Sequence, residues 1–372
     1  MKLLSALSKK DLSGKICLLR VDLNIKDDEL EKENLRVQAI LPTIKFLSKN
    51  NAKIVLLSHR GRPKKNISHK PRTASFSLKP FVKIFENLLK TKIEFIDLST
   101  ITRDSIRGRI RKSKNRIFLL ENLRFQKVEE ENNKNFAKQL ASIGDVYVND
   151  AFAVSHRQAA SVCAITRFLP SYAGLLLEKE IENLDKVLKN PEHPLVVVMG
   201  GAKISDKISL IKNFLKKADH FLVGGGIANN FLKAQGLPIG NSIWEKDAVN
   251  FAEQISKSKK IILPDDYAVS DRKILDIGPE SIKKYSRILK TAKTIIWNGP
   301  MGMAENIKFK KGSEGIIKAI GQSKAFAAIG GGETAALFKN KKVSNNVFLS
   351  TGGGAMLKYL AGEKLPGITA LK

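Results

Sequence analysis

Residues 325–337 read AFAAIGGGETAAL, an apolar run, three glycines, an acidic residue and the Ala-rich start of a helix. Glycine permits a sharp turn and places no Cβ between the backbone and a ligand. The helix behind it offers unpaired N–H groups and the positive end of its dipole. Together these features suit an anion, most often phosphate. The pattern recurs at 346–360 (NVFLSTGGGAMLKYL) and 220–232 (HFLVGGGIANNFL), and in shorter form at 195–211 (LVVVMGGAKISDKISLI). One such stretch is consistent with a tight βα turn and nothing more. Four within one half of a chain point to phosphate binding.

Around these stretches the second half alternates apolar runs with helical patterns: 195–199, 221–223, 261–263, 294–297, 325–329 and 347–350. The first half does the same with 16–23, 53–59, 93–96, 117–121 and 145–149, separated by segments such as 36–50 and 78–90 whose apolar residues recur every three or four positions. Strands apolar throughout and alternating with helices predict parallel sheets covered on both faces. The expected fold is therefore α/β, with two doubly wound, Rossmann-like domains. Residues 168–189 (FLPSYAGLLLEKEIENLDKVLK) read as one long amphipathic helix, and the NPEHP that follows marks a boundary. The expected division is 1–168, a connecting helix and hinge at 169–190, 191–355, and a terminal segment 356–372 apolar enough to dock back on the body.

In open sheets of this class ligands gather at the carboxyl ends of the strands. The first half keeps its polar residues there. Arg20, Asp22 and Asn24 follow the first strand, SHRGRP (His59, Arg60, Arg62) the second, and Arg124 and Arg157 follow 117–120 and 145–148; Arg36 opens a helix. The planar fork of arginine binds phosphate and carboxylate bidentately, so a ring of arginines suits a small polyanion. In the second half Lys203 and Lys207 are four apart beside a glycine turn, on one face if the segment is helical. Lysines at a helix start oppose its dipole, and a bound anion would resolve the conflict.

The totals narrow the class. The 372 residues suffice for two domains, and 43% hydrophobic with 27% charged residues is ordinary for a globular protein. The opening MKLLSALSKKDL is too short in its apolar run for a signal peptide, no run approaches a membrane span, and two cysteines, Cys17 and Cys163, fit a reducing compartment. A cytoplasmic protein is expected. The net charge of +29 allows a nucleic-acid partner, but basic residues are spread along the chain. The one dense cluster, 103–116, lacks interleaved aromatics. No specific nucleic acid is expected. A P-loop, a complete G-x-G-x-x-G, protein-kinase signatures, G-x-S-x-G, H-E-x-x-H and metal-spaced histidines are all absent from the sequence.

In RVDLN, ILPTIKFL, SHRGRP, LLENLRF, NDAFAVSHR, GGAKISDKI, GGGIANNFL, DIGPES, WNGPMG, IGGGETAAL and STGGGAML, taken in order, the chain resembles the phosphoglycerate kinases over nearly its whole length. The resemblance implies reversible phosphoryl transfer between 1,3-bisphosphoglycerate and MgADP, giving 3-phosphoglycerate and MgATP. The glycerate would sit on the first domain and the nucleotide on the second, in a monomer whose hinge brings them together. It implies that Asp22, Leu23, Asn24, Arg36, His59, Arg60, Gly61, Arg62, Arg124 and Arg157 form the 3-phosphoglycerate site. Arg36 also faces the phosphoryl group in flight. Lys203, Lys207 and the amides of Gly332 and Gly354 compensate the moving charge. Gly201, Gly224, Gly225, Gly226, Asn298, Gly299, Pro300, Glu305, Gly330, Gly331, Glu333 and Thr334 complete the nucleotide site, with Glu305 on the ribose and Glu333 attending Mg²⁺. The chain departs from the family pattern at Lys26 and the short loop 27–34, at Arg60, in the middle of NDAFAVSHR, and at Glu333, where the family commonly has aspartate. Two other readings remain: the same fold acting on another small phosphorylated carboxylate, and a basic nucleic-acid-binding protein that has lost the activity.

Overall fold

The computed structural model describes residues 1–63, 76–97, 103–339, 341 and 343–372. The chain forms two compact units, Met1–Ile181 with Lys364–Lys372, and Glu182–Glu363.

The first unit is built on β1 (Ile16–Arg20), β2 (Lys53–Leu57), β3 (Ile93–Ile96), β4 (Ile117–Leu120), β5 (Val146–Asn149) and β6 (Ser171–Ala173). They form one sheet in the order β3-β4-β2-β1-β5-β6, every neighbouring pair parallel. β1, β4 and β5 are buried throughout, as a sheet covered on both faces demands. The helix Leu35–Lys49 covers one face with Val37, Ile40, Leu41, Ile44 and Leu47, spaced at helical period, and the Asn34 side chain caps it by accepting from the Arg36 N–H. The chain runs outward from β1 in both directions, so the carboxyl ends of β1 and β5 flank a switch in strand order. Arg20, the last residue of β1, stands opposite Leu57 and Asn149 at that edge.

The second unit repeats the plan with β7 (Leu195–Met199), β8 (His220–Val223), β9 (Ile261–Ile262), β10 (Tyr267–Ser270), β11 (Lys273–Ile277), β12 (Thr294–Asn298), β13 (Phe326–Gly330) and β14 (Val347–Leu349). Six of them make a parallel sheet in the order β14-β13-β12-β7-β8-β9, with its switch between β7 and β12. Trp297 and Tyr285 are completely buried in its core. Two parallel α/β sheets are the expected class.

Three local expectations change. Residues 168–189 are not a single helix: Ser171–Ala173 is the edge strand β6 and the helix spans Leu175–Lys189. Pro170 and Gly174 bracket the strand, and Asp150 Oδ1 starts the helix at its own place by accepting from the Leu176 and Leu177 N–H groups at 2.9 and 3.2 Å. β10 and β11 form an antiparallel hairpin that the sequence reading did not include. Its turn, Asp271–Arg272, takes positive φ at both residues (51° and 61°), the geometry usually signalled by glycine. The first strand ends at Arg20 and does not reach Leu23.

Candidate anion sites at the strand ends

The loops after β1, β2 and β4 are stitched together by short polar side chains. Ser58 Oγ accepts from Leu23 N at 2.9 Å, Asn24 Oδ1 accepts from Gly61 N at 2.8 Å, and Asp22 Oδ1 accepts from Asn24 N at 3.1 Å. Asn122 exchanges bonds with the backbone of Arg60, accepting from its N–H at 3.1 Å and donating to its carbonyl at 2.7 Å. Gly61 sits at φ 62° with the Phe76 ring where a Cβ would be. Loops tied this way hold their charged side chains in fixed directions.

Arg36 donates from Nη1 to Asn24 O at 2.5 Å and pairs with Asp22 at 3.2 Å. Arg124 donates to Gly61 O at 2.7 Å and pairs with Glu130 at 3.1 Å. Arg20 is 2% exposed; its Nε donates to Ser161 Oγ at 2.9 Å, its Nη1 to Val21 O, and its Nη2 lies 3.1 Å from His59 Nδ1. Arg20, His59, Arg124 and Arg157, with Glu129 and Glu130, line a cleft of about 160 Å³. Burial, and then the guanidinium groups of Arg20, Arg124, Arg157 and Arg36, hold the His59 pKa well below its ordinary 6.5. Burial lowers Arg124 as well, against the pull of Glu130. An anion in this cleft would relieve a concentration of positive charge.

The expected substrate residues thus divide. His59, Arg124 and Arg157 share the cleft; Asp22, Asn24, Arg36 and Gly61 form a hydrogen-bonded group; Arg62 is exposed on its loop; Leu23 is core. Arg60 does not add charge to this edge. It is 2% exposed, and its guanidinium donates to Ile25 O at 2.8 Å, to Ser77 O at 3.2 Å and to Asp27 at 2.6 Å, under the Phe81 ring. Glu129, fully buried and accepting from Ser161 N and Oγ, was not foreseen, because VEEEN reads as a solvated acidic run.

In the second unit the turns after β7 and β12 interlock at the switch in strand order. Gly200 N donates to Asn298 O at 3.1 Å and Gly201 N to Pro300 O at 2.7 Å. A Cβ on Gly200 would collide with the Pro300 carbonyl, and one on Gly226 with the Ala202 carbonyl. Gly225 packs against Gly201, and Gly224 N donates to Met199 O at 2.9 Å. Asn298 Nδ2 donates to Gly330 O at 2.8 Å, and buried Thr334 Oγ1 accepts from Gly299 N at 2.8 Å, so β12, β13 and the helix Gly332–Ala336 are locked together. Gly331, at φ 105°, makes the turn into that helix. The glycines therefore allow backbone to meet backbone.

Lys203 and Lys207 do not share a helix face. A bend at Lys203–Ile204 and the 3₁₀ turn Ser205–Lys207 separate them, leaving Lys203 exposed and Lys207 buried beside Gly201. Burial lowers the Lys207 pKa while Asp206, Glu333 and Glu245 raise it. Gly332, Glu333 and Gly354 are exposed at helix starts, with no atom crowding either glycine, and Glu305 is exposed in the loop after β12.

A family model described as phosphoglycerate kinase matches residues 7–363. The phosphoglycerate kinase of Leptospira biflexa is 40% identical over 99% of this chain and 98% of its own, and that of Herpetosiphon aurantiacus is 40% identical over 96% of each. Among solved structures, phosphoglycerate kinase from Pyrococcus horikoshii superposes with a TM-score of 0.86 at 32% identity, covering 100% of this chain and 98% of that one. The Coxiella burnetii structure superposes at 0.81 with 34% identity, covering 99% and 98%. With strand-end arginines on one sheet and interlocked glycine turns on the other, the chain belongs to the phosphoglycerate kinase family of phosphotransferases.

Proposed function

We propose that this chain transfers a phosphoryl group reversibly between the acyl phosphate of 1,3-bisphosphoglycerate and MgADP, giving 3-phosphoglycerate and MgATP. The observation that carries the reading is the arginine-lined cleft of the first unit, which suits a small polyanion. Residues 1–168 take the glycerate substrate, 191–355 the nucleotide, 169–190 act as the hinge for domain closure, and 356–372 as a docking tail. Asp22, Asn24, His59, Arg62, Arg124 and Arg157 orient 3-phosphoglycerate, and Arg36 meets the group in transfer. Arg60 and Leu23 hold the loops that carry these residues. Lys203, Lys207 and the amides of Gly332 and Gly354 compensate phosphate charge, and the glycine turns with Asn298, Pro300, Glu305 and Thr334 shape the nucleotide seat. Such a division fits phosphoryl transfer, which asks a protein for alignment and charge compensation.

The donor set fits Mg²⁺ arriving with the nucleotide. No cluster of three His, Cys, Asp or Glu that could cage an ion occurs among the described residues, and Glu333 offers one exposed carboxylate beside the glycine turn. Magnesium often takes a single carboxylate together with phosphate oxygens and water. When bound it would neutralise the nucleotide phosphates. No helix among the described residues is long and apolar enough to cross a membrane. The protein is proposed to act as a cytoplasmic monomer. A coupled assay with ATP and 3-phosphoglycerate tests the whole reading; folded protein without turnover would reject it.

A further inference from the structure

We propose that Arg20 is a positioning residue that fixes the tautomer of His59, so that a neutral imidazole presents its Nε2–H as a hydrogen-bond donor to the anion in the first unit's cleft. The proposal rests on reading that cleft as the seat of 3-phosphoglycerate.

The argument is one of donors and acceptors. Arg20 Nη2 lies 3.1 Å from His59 Nδ1, both groups buried. A guanidinium has donors only, so Nδ1 must accept with its lone pair. The one proton of the neutral ring is then on Nε2. A second proton, on Nδ1, would set N–H against N–H. Nε2 is itself buried and has no hydrogen-bond partner among the described residues, although the ring lines the cleft. A buried donor left unpaired is destabilising, and a ligand oxygen in the cleft removes that cost.

Arg20 is itself held in one orientation. Glu129 Oε1 accepts from Ser161 Oγ at 2.5 Å, which turns the Ser161 lone pair toward Arg20 Nε at 2.9 Å, while Nη1 is taken by the Val21 carbonyl. Ser161 N fixes the other Glu129 oxygen at 3.0 Å. The bonds from Arg20 to Ser161 and to His59 have only one direction available, because a guanidinium only donates. The charged groups that act on the ring are Arg20 on β1, Arg36 on the helix Leu35–Lys49, and Arg124 and Arg157 on their loops, with Glu129 and Glu130 also lining the cleft. Four cations against two carboxylates oppose protonation of the ring. His59 therefore contributes direction, and the arginines contribute charge.

The test is long-range ¹⁵N–¹H spectroscopy of the histidine rings in the full-length, ligand-free protein, with His59→Gln for assignment and calorimetry with 3-phosphoglycerate and ATP. Wild type should show His59 in the Nε2–H form from pH 8 down to 5.5 without titrating. Arg20→Met should give a tautomer mixture or a titration within that range. It should weaken 3-phosphoglycerate roughly ten- to hundredfold, the worth of a hydrogen bond to a charged group, and leave ATP affinity unchanged. Arg20→Met/Glu129→Gln, which removes both members of the buried charge series, supplies the same readouts if the single variant does not fold. An Nδ1–H pattern or a midpoint near 6.5 in wild type overturns the lock whatever the ligand. An unlocked ring with unaltered 3-phosphoglycerate affinity overturns the role of the donor. Wild type with the expected pattern but no affinity for 3-phosphoglycerate overturns the substrate reading, and with it the ligand assigned to that donor.

Discussion

The Arg36 guanidinium stands 3.2 Å from the Asp22 carboxylate and donates to the Asn24 carbonyl, so the arginine arrives at the strand-end edge already oriented. Orientation before binding matters because transition-state charge is stabilised by groups that need not reorganise. Arg36→Ala should lower kcat by roughly 10³–10⁵, the range of comparable arginines in phosphoryl transfer, with little change in nucleotide affinity. Steady-state kinetics on folded protein decide it. A loss under tenfold would remove Arg36 from the transfer step.

On the proposed reading Lys207 is the nucleotide-side counterpart, and its burial gives it a pH signature. Lys207→Ala should weaken ATP and leave 3-phosphoglycerate binding intact by calorimetry. Because burial lowers its pKa, the folded protein loses this positive charge at a lower pH than an exposed lysine would. ATP affinity should therefore decline as pH rises toward that lowered value, and the decline should vanish in Lys207→Ala. A parallel decline in both proteins would assign the pH effect elsewhere.

Much of this was legible because its signals are local. The runs KIVLL and LVVVM could be little else than buried parallel strands, and β2 and β7 stand where those runs are. The glycine turns announced themselves in the same way, since close backbone approach leaves few alternatives to glycine. What the sequence hid depended on partners far along the chain. Arg60 reads as one more arginine in SHRGRP until Ile25, Asp27 and Ser77 turn it inward. Glu129 reads as solvated acid until Ser161, 32 residues later, meets it in the interior. Apolar spacing ran on from 168 to 189, but Pro170 and Gly174 broke it into strand and helix.

The interlocked glycines predict a contrast in stability. Gly200→Ala forces a Cβ into the Pro300 carbonyl and should cost about 1–3 kcal/mol or more. Gly332→Ala meets no atom within 4 Å and should leave the melting temperature nearly unchanged. Thermal unfolding of the two variants side by side checks this, and equal losses would contradict the packing argument.

Arg60 offers the opposite separation. Its guanidinium is spent on Ile25 O, Ser77 O and Asp27, so Arg60→Ala should destabilise by about 1–3 kcal/mol through unpaired carbonyls and lost packing. The KM for 3-phosphoglycerate should move less than threefold at a temperature where the variant is folded. A tenfold rise without loss of stability would return Arg60 to the substrate edge.

Glu333 lies at the first turn of the helix Gly332–Ala336, exposed, and near enough to Lys207 for its charge to raise the pKa of that lysine. An acidic residue there can act in two ways. It can complement the helix dipole, worth about 0.3–1 kcal/mol, or it can reach a magnesium ion that accompanies the nucleotide phosphates. The surrounding structure favours the second. Gly332 leaves the space beside the turn open, and Thr334, one residue on from Glu333, is fixed by accepting from Gly299 N, so the carboxylate projects from a rigid base. Glu333→Gln keeps the shape and removes the charge. It should raise the magnesium concentration needed for half-maximal activity, lower kcat, and leave the melting temperature of the ligand-free protein within about a degree, because an exposed charge at a five-residue helix contributes little. Unchanged magnesium dependence together with a lowered melting temperature would leave Glu333 as a helix cap, and the metal would then depend on phosphate oxygens and water alone.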